Sequence, residues 1–450
     1  YKKYKVAKDL ALRIYTTHLL GGEKKLVLHG GGNTSVKTNY KDIFGENKRV
    51  IYVKGSGWNM SNLTEKGMPG LYIEPLLKTL ILKKLDDDNM VNILRSNLID
   101  SNSPNPSVET LLHAYLPHKY VDHTHSNAFL SLINLKNSKE ICKKIFNNKL
   151  GIVPYIMPGF DLAKLCHQVY LLNNKVEGLV LLNHGIFTFG ENAKQSYDRM
   201  IKYVNIAETF ISNHKKNIKY IKNISFKKIN NLPLLIRKTY YNIDGNKWIV
   251  KLNNSKQDIR FSLLQNLKIM LSKGPVTPDH VIRIKSKPLI VKSKDINEID
   301  KIIFKYSKDY IKYFTKYKNN IPASIISDPL PRIIIVEGLG YFSIGRNTQE
   351  EKISLDIFDS MSHSIIDSHK IGQFKSINNK EIFKMEYWPL ERAKLSVKKR
   401  KIAEGQVVVI TGGAGTIGLA TANKFLTEGA EVVILDKKID TNSSKYSNLF

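Results

Sequence analysis

Two stretches share a plan that few folds can accommodate. "LLNHGIFTFGEN" and "VEGLGYFSIGRN" each read as an apolar strand, a glycine turn, a second strand closed by glycine, and a polar entry to a helix. Laying Gly190 on Gly345 aligns them and puts Phe187 on Phe342. We read this as an internal repeat; two unrelated strand pairs that share glycine turns are the alternative. In this register Leu339 stands where His184 does, so the second copy cannot do what His184 does.

A chain of 450 residues is too long for one ordinary core, and two or three domains are expected. The first spans 1–215. The basic, aperiodic stretch "NHKKNIKYIKNISFKKINN" then reads as a linker or crossover, opening a middle domain at 216–395. The last segment, 396–450, holds "GQVVVITGGAGTIGLATANKFLTEGAEVVILD", a strand, glycine loop, helix and strand: one βαβ unit.

The formal charge of +30 makes nucleic acid a partner to test. Its lysines are scattered through every segment without an Arg-rich stripe or stacking motif, so the charge reads as a solvated surface and no nucleic-acid partner is expected. Cys142 and Cys166 have no CxxC or CxH spacing, which fits a cytoplasmic protein without disulfides or a thiolate metal site. No apolar run approaches the ~18 residues of a membrane span, and the amino end lacks a signal-peptide core. The chain starts without Met and stops at "SNLF", so both ends look cut.

In "VDHTHSNAF", a strand by pattern, His123 and His125 point to one face, about 6 to 7 Å apart at the backbone. One metal ion can bridge that span, although such a pair can also be a polar sheet face. His184 tips the balance, because it ends the apolar run "GLVLLNHG", where an unpaired imidazole is costly to bury. Three neutral imidazoles with an open fourth position describe a catalytic zinc better than a structural one. The loops "GGGNTS" and "KGSG" offer backbone N–H groups beside Asn33, Thr34, Ser35 and Ser56, a way to hold a phosphate. In "NPSVE", Ser107 reads as a helix N-cap, with Glu109 in the first turn.

The ordered motifs "GGGNTSVK", "VKGSGW", "PSVETLLHA", "DHTHS" and "LLNHGIFTFG" resemble those of class II aldolase/adducin domains. With the repeat-like middle and "TGGAGTIG", nearly the whole chain resembles the bifunctional rhamnulose-1-phosphate aldolase/short-chain dehydrogenase proteins. The resemblance implies an α/β chain with three parts: a layered α/β/α module on a mostly antiparallel sheet, a degenerate aldolase-like module, and a truncated Rossmann unit. It implies His123, His125 and His184 as zinc ligands and Glu109 as the acid/base carboxylate. Asn33, Thr34, Ser35, Ser56, Gly57 and Ser107 would cradle the substrate phosphate. Family members also use a tyrosine from a neighbouring subunit as an acid; Tyr155 in "VPYIMPG" is the candidate, and a homo-oligomer is expected.

The implied reaction is aldol cleavage of a ketose 1-phosphate, such as rhamnulose 1-phosphate, to dihydroxyacetone phosphate and lactaldehyde, with zinc as Lewis acid. Epimerases and dehydratases of the superfamily use the same metal cage, and adducin-like relatives are non-catalytic scaffolds. In the last segment Gly413, Gly415 and Gly418 would form the dinucleotide turn, and Asp436 would bind a ribose 2′-hydroxyl and favour NAD over NADP. Thr416 stands where many short-chain dehydrogenases have glycine. Their Tyr-x-x-x-Lys pair lies beyond Phe450, so the chain as given is expected to bind NAD poorly and to leave lactaldehyde unoxidised.

Overall fold

The computed structural model describes residues 7–214, 218–222, 231–277, 280–321, 324–395 and 400–437. It divides into two compact units, the first comprising Tyr1–Asn217, Lys273–Ile282 and Ser360–Leu395. The second comprises Ile218–Ser272, Arg283–Asp359 and Ser396–Phe450. The boundary expected at 215 and most of the basic linker lie outside the described residues. The first unit is not continuous in sequence. It takes in two pieces of the expected middle domain, which hydrogen bonds tie down: the Asn134 side-chain amide donates to the Val276 carbonyl at 2.7 Å, and Leu135 bridges to Phe374 through the backbone.

The first unit is built on seven strands: β1 (Asn33–Lys41), β2 (Asn47–Val53), β3 (Gly70–Tyr72), β4 (Tyr120–Thr124), β5 (Leu150–Val153), β6 (Gly178–Leu181) and β7 (Gly185–Gly190). Their order is β3-β2-β1-β4-β7-β6-β5, antiparallel throughout except between β5 and β6. Strand alternation sorts β4 between two cores. Tyr120 packs with Val36 and with Leu10 and Ile14 of the helix Lys8–Gly21, while Val121 packs with Leu111, Leu162 and Cys166 from helices on the other face. Three layers result. Cys142 and Cys166 are both buried thiols.

The same alternation turns Asp122 toward the helix Lys8–Gly21, where it meets Arg13 at 2.5 Å with both side chains fully buried, and turns His123 to the opposite face. The apolar run from Gly178 forms β6 and β7 as a tight pair, joined by a turn in which Asn183 takes a left-handed φ of 57°. Asn192 then caps the helix Ala193–Ser212, its side chain accepting from the Gln195 N–H.

The second unit contains β8 (Ile249–Asn253), β9 (Leu289–Val291), β10 (Ile333–Val336) and β11 (Gly340–Gly345) in the order β8-β11-β10-β9. Laying Gly190 on Gly345 superposes the ends of β6 on β10 and of β7 on β11. Their pairing matches too: Gly178 faces Thr188 as Ile333 faces Ser343. The neighbours repeat the pattern, with β4 antiparallel to β7 as β8 is to β11, and β5 parallel to β6 as β9 is to β10. His123 faces Phe187, and in the second sheet Leu252 faces Phe342. Further along, β12 (Val407–Thr411), the helix Thr416–Thr427 and β13 (Glu431–Leu435) form a βαβ unit with parallel strands.

Candidate active site

Strand geometry delivers the three imidazoles. His123 occupies the penultimate position of β4, His125 follows the strand, and His184 sits in the turn between β6 and β7. Their candidate ligand atoms lie within 4.8 Å of one another. His123 Nδ1 donates to the Ile186 carbonyl at 3.0 Å, which leaves its Nε2 lone pair facing His125 Nε2 at 3.0 Å. Fixing one ring nitrogen by a backbone acceptor is how metal-binding imidazoles are oriented. Burial disfavours imidazolium at His123 more strongly than Glu109 favours it, so its pKa is held well below the usual value, and the neutral ring is the form a metal binds. Gly185 makes room, since a Cβ there would come within 2.9 Å of both His123 and His125. The donor set and its geometry fit a metal ion.

Glu109 faces this cluster, Oε2 3.5 Å from His123 Nε2 and Oε1 3.4 Å from His184 Nε2. The Asn33 amide donates to Glu109 Oε2 at 2.6 Å and to Ser107 Oγ at 3.0 Å. Burial pushes the Glu109 carboxyl up, while positive charge at the His123, His184 and His125 cluster, carried by imidazolium or by a bound cation, and the hydrogen bond from the Asn33 amide pull it down. The helix expected to start at Ser107 begins at Thr110, with Glu109 as its cap position; Ser107 Oγ instead accepts from the Glu109 N–H at 3.3 Å.

Around them the two glycine loops form the wall of a cleft lined by Gly30, Asn33, Ser56, Gly57, Ser107 and Glu109 among others. Gly30 and Gly57 adopt φ of 78° and 77°, and the loops touch there: a Cβ on Gly30 would lie 3.0 Å from the Gly57 carbonyl oxygen. A lysine unremarked in the sequence binds the loops together. Lys54, 2% exposed, donates through Nζ to the carbonyls of Gly30 at 3.1 Å, Gly55 at 3.3 Å and Trp58 at 2.8 Å. Burial pushes its pKa down to about 7, Lys394 adding to the effect and Glu109 and Glu391 opposing it.

Two expected cradle residues point elsewhere. Thr34, between Asn33 and Ser35 on β1, alternates to the far face and pairs with Thr17 at 2.7 Å, and Ser35 Oγ bonds His113 Nδ1 at 2.8 Å. Neither lines the cleft. Tyr155, just past β5, is also absent from the lining; its hydroxyl is buried, with no hydrogen-bond partner among the described residues, and burial raises its pKa. His113, missed in the sequence, lies one helical turn after Glu109 in "ETLLH", a spacing that could have flagged it.

In the βαβ unit Gly413 and Gly418 approach closely, a Cβ on Gly418 falling 2.6 Å from the Gly413 Cα, and Gly415 precedes the helix. The Asp436 carboxylate accepts from the Ala414 N–H at 2.9 Å, which places it at this turn. Among the described residues no helix is long and apolar enough to cross a membrane.

Residues 12–211 match the family model of the class II aldolase and adducin N-terminal domain, and residues 227–395 match that of the aldolase class II second domain. The chain carries class II aldolase/adducin domains on a mixed α/β fold. A Bacillus subtilis (strain 168) protein named uncharacterized oxidoreductase YuxG is 30% identical over 457 residues, covering 95% of this chain and 64% of its own length. The chain thus spans less than two thirds of that relative. Among solved structures, the N-terminal class II aldolase domain of a conserved protein from Thermoplasma acidophilum is 39% identical, with a TM-score of 0.43, and covers 46% of this chain and 95% of its own. The l-fuculose-1-phosphate aldolase from Thermus thermophilus is 14% identical, with a TM-score of 0.31, and covers 46% of this chain and 96% of its own.

Proposed function

We propose that the first unit catalyses metal-dependent aldol cleavage of a ketose 1-phosphate, of which rhamnulose 1-phosphate is the type, to dihydroxyacetone phosphate and a small aldehyde. The observation that carries this reading is the position of Glu109, hydrogen-bonded by Asn33 and facing three imidazoles at the floor of a glycine-walled cleft. His123, His125 and His184 would hold zinc, and a bound ion would supply Lewis-acid polarisation of the substrate's carbonyl and hydroxyl oxygens. The chain's own groups do the rest. The glycine loops and Ser56 orient the phosphate through N–H and O–H donors. Glu109, held ionised, starts as a base: in the condensation direction it removes the proton at C3 of dihydroxyacetone phosphate. In cleavage the Glu109 carboxylate accepts the proton of the C4 hydroxyl, the electrons of the C3–C4 bond stay with the three-carbon fragment, and Glu109 delivers that proton to C3, which restores the carboxylate.

The second sheet is read as a degenerate copy of the first. Leu252, Asn254 and Leu339 stand at the positions of His123, His125 and His184, and Leu252 and Leu339 pack in an apolar cluster with Phe342. The βαβ unit is read as an NAD-binding turn, supported by the close glycines and by Asp436 beside them. Incubation of the purified chain with zinc and a panel of ketose 1-phosphates, coupled to detection of dihydroxyacetone phosphate, tests the aldolase reading. Release from at least one of them is expected, and none from any would overturn it.

A further inference from the structure

The helices Asn379–Tyr387 and Pro389–Arg392 lie in the same compact unit as the three-histidine sheet, although they come from the end of the second matched domain. They are firmly seated there. Trp388 donates through Nε1 to Asp87 at 2.5 Å, and Met385 and Trp388 pack in a buried cluster that includes Ile382, Val108 and Met157. Val108 is the residue between Ser107 and Glu109, so this anchor abuts the loop that carries the proposed acid/base group.

The chain that leaves this anchor reaches the cleft. Met385, Glu391 and Lys394 line it together with the glycine loops, and the Lys394 backbone rests on Gly57: a Cβ there would lie 3.7 Å from the Lys394 Cα. Lys394 Nζ pairs with Glu391 Oε1 at 2.6 Å, with Glu391 3% and Lys394 19% exposed at the side chain. The ammonium is therefore pre-oriented by a buried carboxylate one helical turn earlier. Lys54, a second cation in the same cleft, is close enough to feel Lys394 as repulsion. A lysine ammonium beside flexible N–H donors, with the charge of Lys54 in the same lining, fits a dianion better than a neutral sugar hydroxyl.

We propose that Lys394, positioned by Glu391, is a binding residue for the phosphate monoester of the substrate, so that the end of the second domain completes the phosphate site of the first. This deepens the aldolase reading and rests on its phosphate cradle. The test measures inorganic phosphate binding to the full zinc-loaded chain by calorimetry, with metal content and circular dichroism measured on each variant. Lys394→Met should weaken phosphate about tenfold or more, the usual weight of a charge-assisted hydrogen bond, while Lys394→Arg stays within about threefold of wild type. Equal affinity in wild type and Lys394→Met would overturn the assignment and leave the cradle intact. Absence of phosphate binding in the wild type would overturn both. Should Lys394→Met lose its fold, the arginine variant decides: retained affinity supports the assignment, and loss of phosphate with zinc and fold intact overturns it.

Discussion

Asn33 and His113 are locked to each other: His113 Nε2 lies 2.5 Å from Asn33 Oδ1, while His113 Nδ1 lies 2.8 Å from Ser35 Oγ. An amide oxygen only accepts, so Nε2 carries the proton and Nδ1 accepts from the serine. Burial pushes the His113 pKa down to about 3, which keeps this single neutral tautomer at neutral pH. The amide of Asn33 is thereby fixed with its NH2 toward Glu109, and His113 is a positioning residue for the proposed acid/base group.

His113→Phe keeps the ring volume but removes the donor. The Asn33 amide then loses its orientation, and turnover should fall about tenfold, the usual scale for a buried polar group left without its partner. KM for the ketose phosphate and bound zinc should stay near wild type. A rise in KM with unchanged kcat would reassign His113 to substrate binding.

Glu109→Gln retains shape and both Asn33 and Ser107 as neighbours but cannot carry the C3 proton. Turnover should drop about 10²-fold or more, with zinc content and phosphate affinity unchanged. Exchange of the C3 hydrogen of dihydroxyacetone phosphate with deuterated water, followed by NMR, should fall by the same factor. Near-normal exchange in this variant would place the proton on another group.

Metal stoichiometry separates the two sheets. One zinc per chain is expected by mass spectrometry of the intact protein, because Leu252, Asn254 and Leu339 offer no imidazole at the matching positions. His184→Ala should lose that ion and, with it, cleavage. Two tightly held ions, or one retained in His184→Ala, would show that the ligands are elsewhere.

What is legible in the sequence follows from how local each signal is. The His123 and His125 pair and the histidine after "GLVLLN" can be read because strand alternation and an apolar run are properties of a few neighbouring residues. Alternation also separates Thr34 from its neighbours in the motif, since β1 begins at Asn33 and sends the next side chain to Thr17. Lys54 lies in plain view within "VKGSG", but its role depends on Gly30, 24 residues away. Lys394 has no local signal at all, since its place in the cleft is set by the anchoring of Trp388 on Asp87, 301 residues earlier. The expected middle domain runs unbroken along the chain, whereas Lys273–Ile282 and Ser360–Leu395 join the first unit through hydrogen bonds to Asn134 and Lys136, distant in sequence.

Lys54 gives the cleft a pH dependence whose sign is fixed. Burial, with Lys394 beside it, lowers its pKa to about 7, so the ammonium that clips the loops is present below that pH and is lost as pH rises through it. A dianion binds the ammonium form, and its affinity should therefore be greatest below about 7 and decline above it. Sulfate is the suitable probe because its own charge is constant across this window. Its Kd, measured by calorimetry from about pH 6 to about 9, should rise as pH increases, by at most about tenfold per unit once Lys54 is neutral, which is the limit for one linked proton. In Lys54→Met binding should be weak throughout and the slope attributable to this group absent. A wild-type and a Lys54→Met profile that run parallel would show that the lysine holds the loops by its hydrogen bonds alone and contributes no charge to the anion.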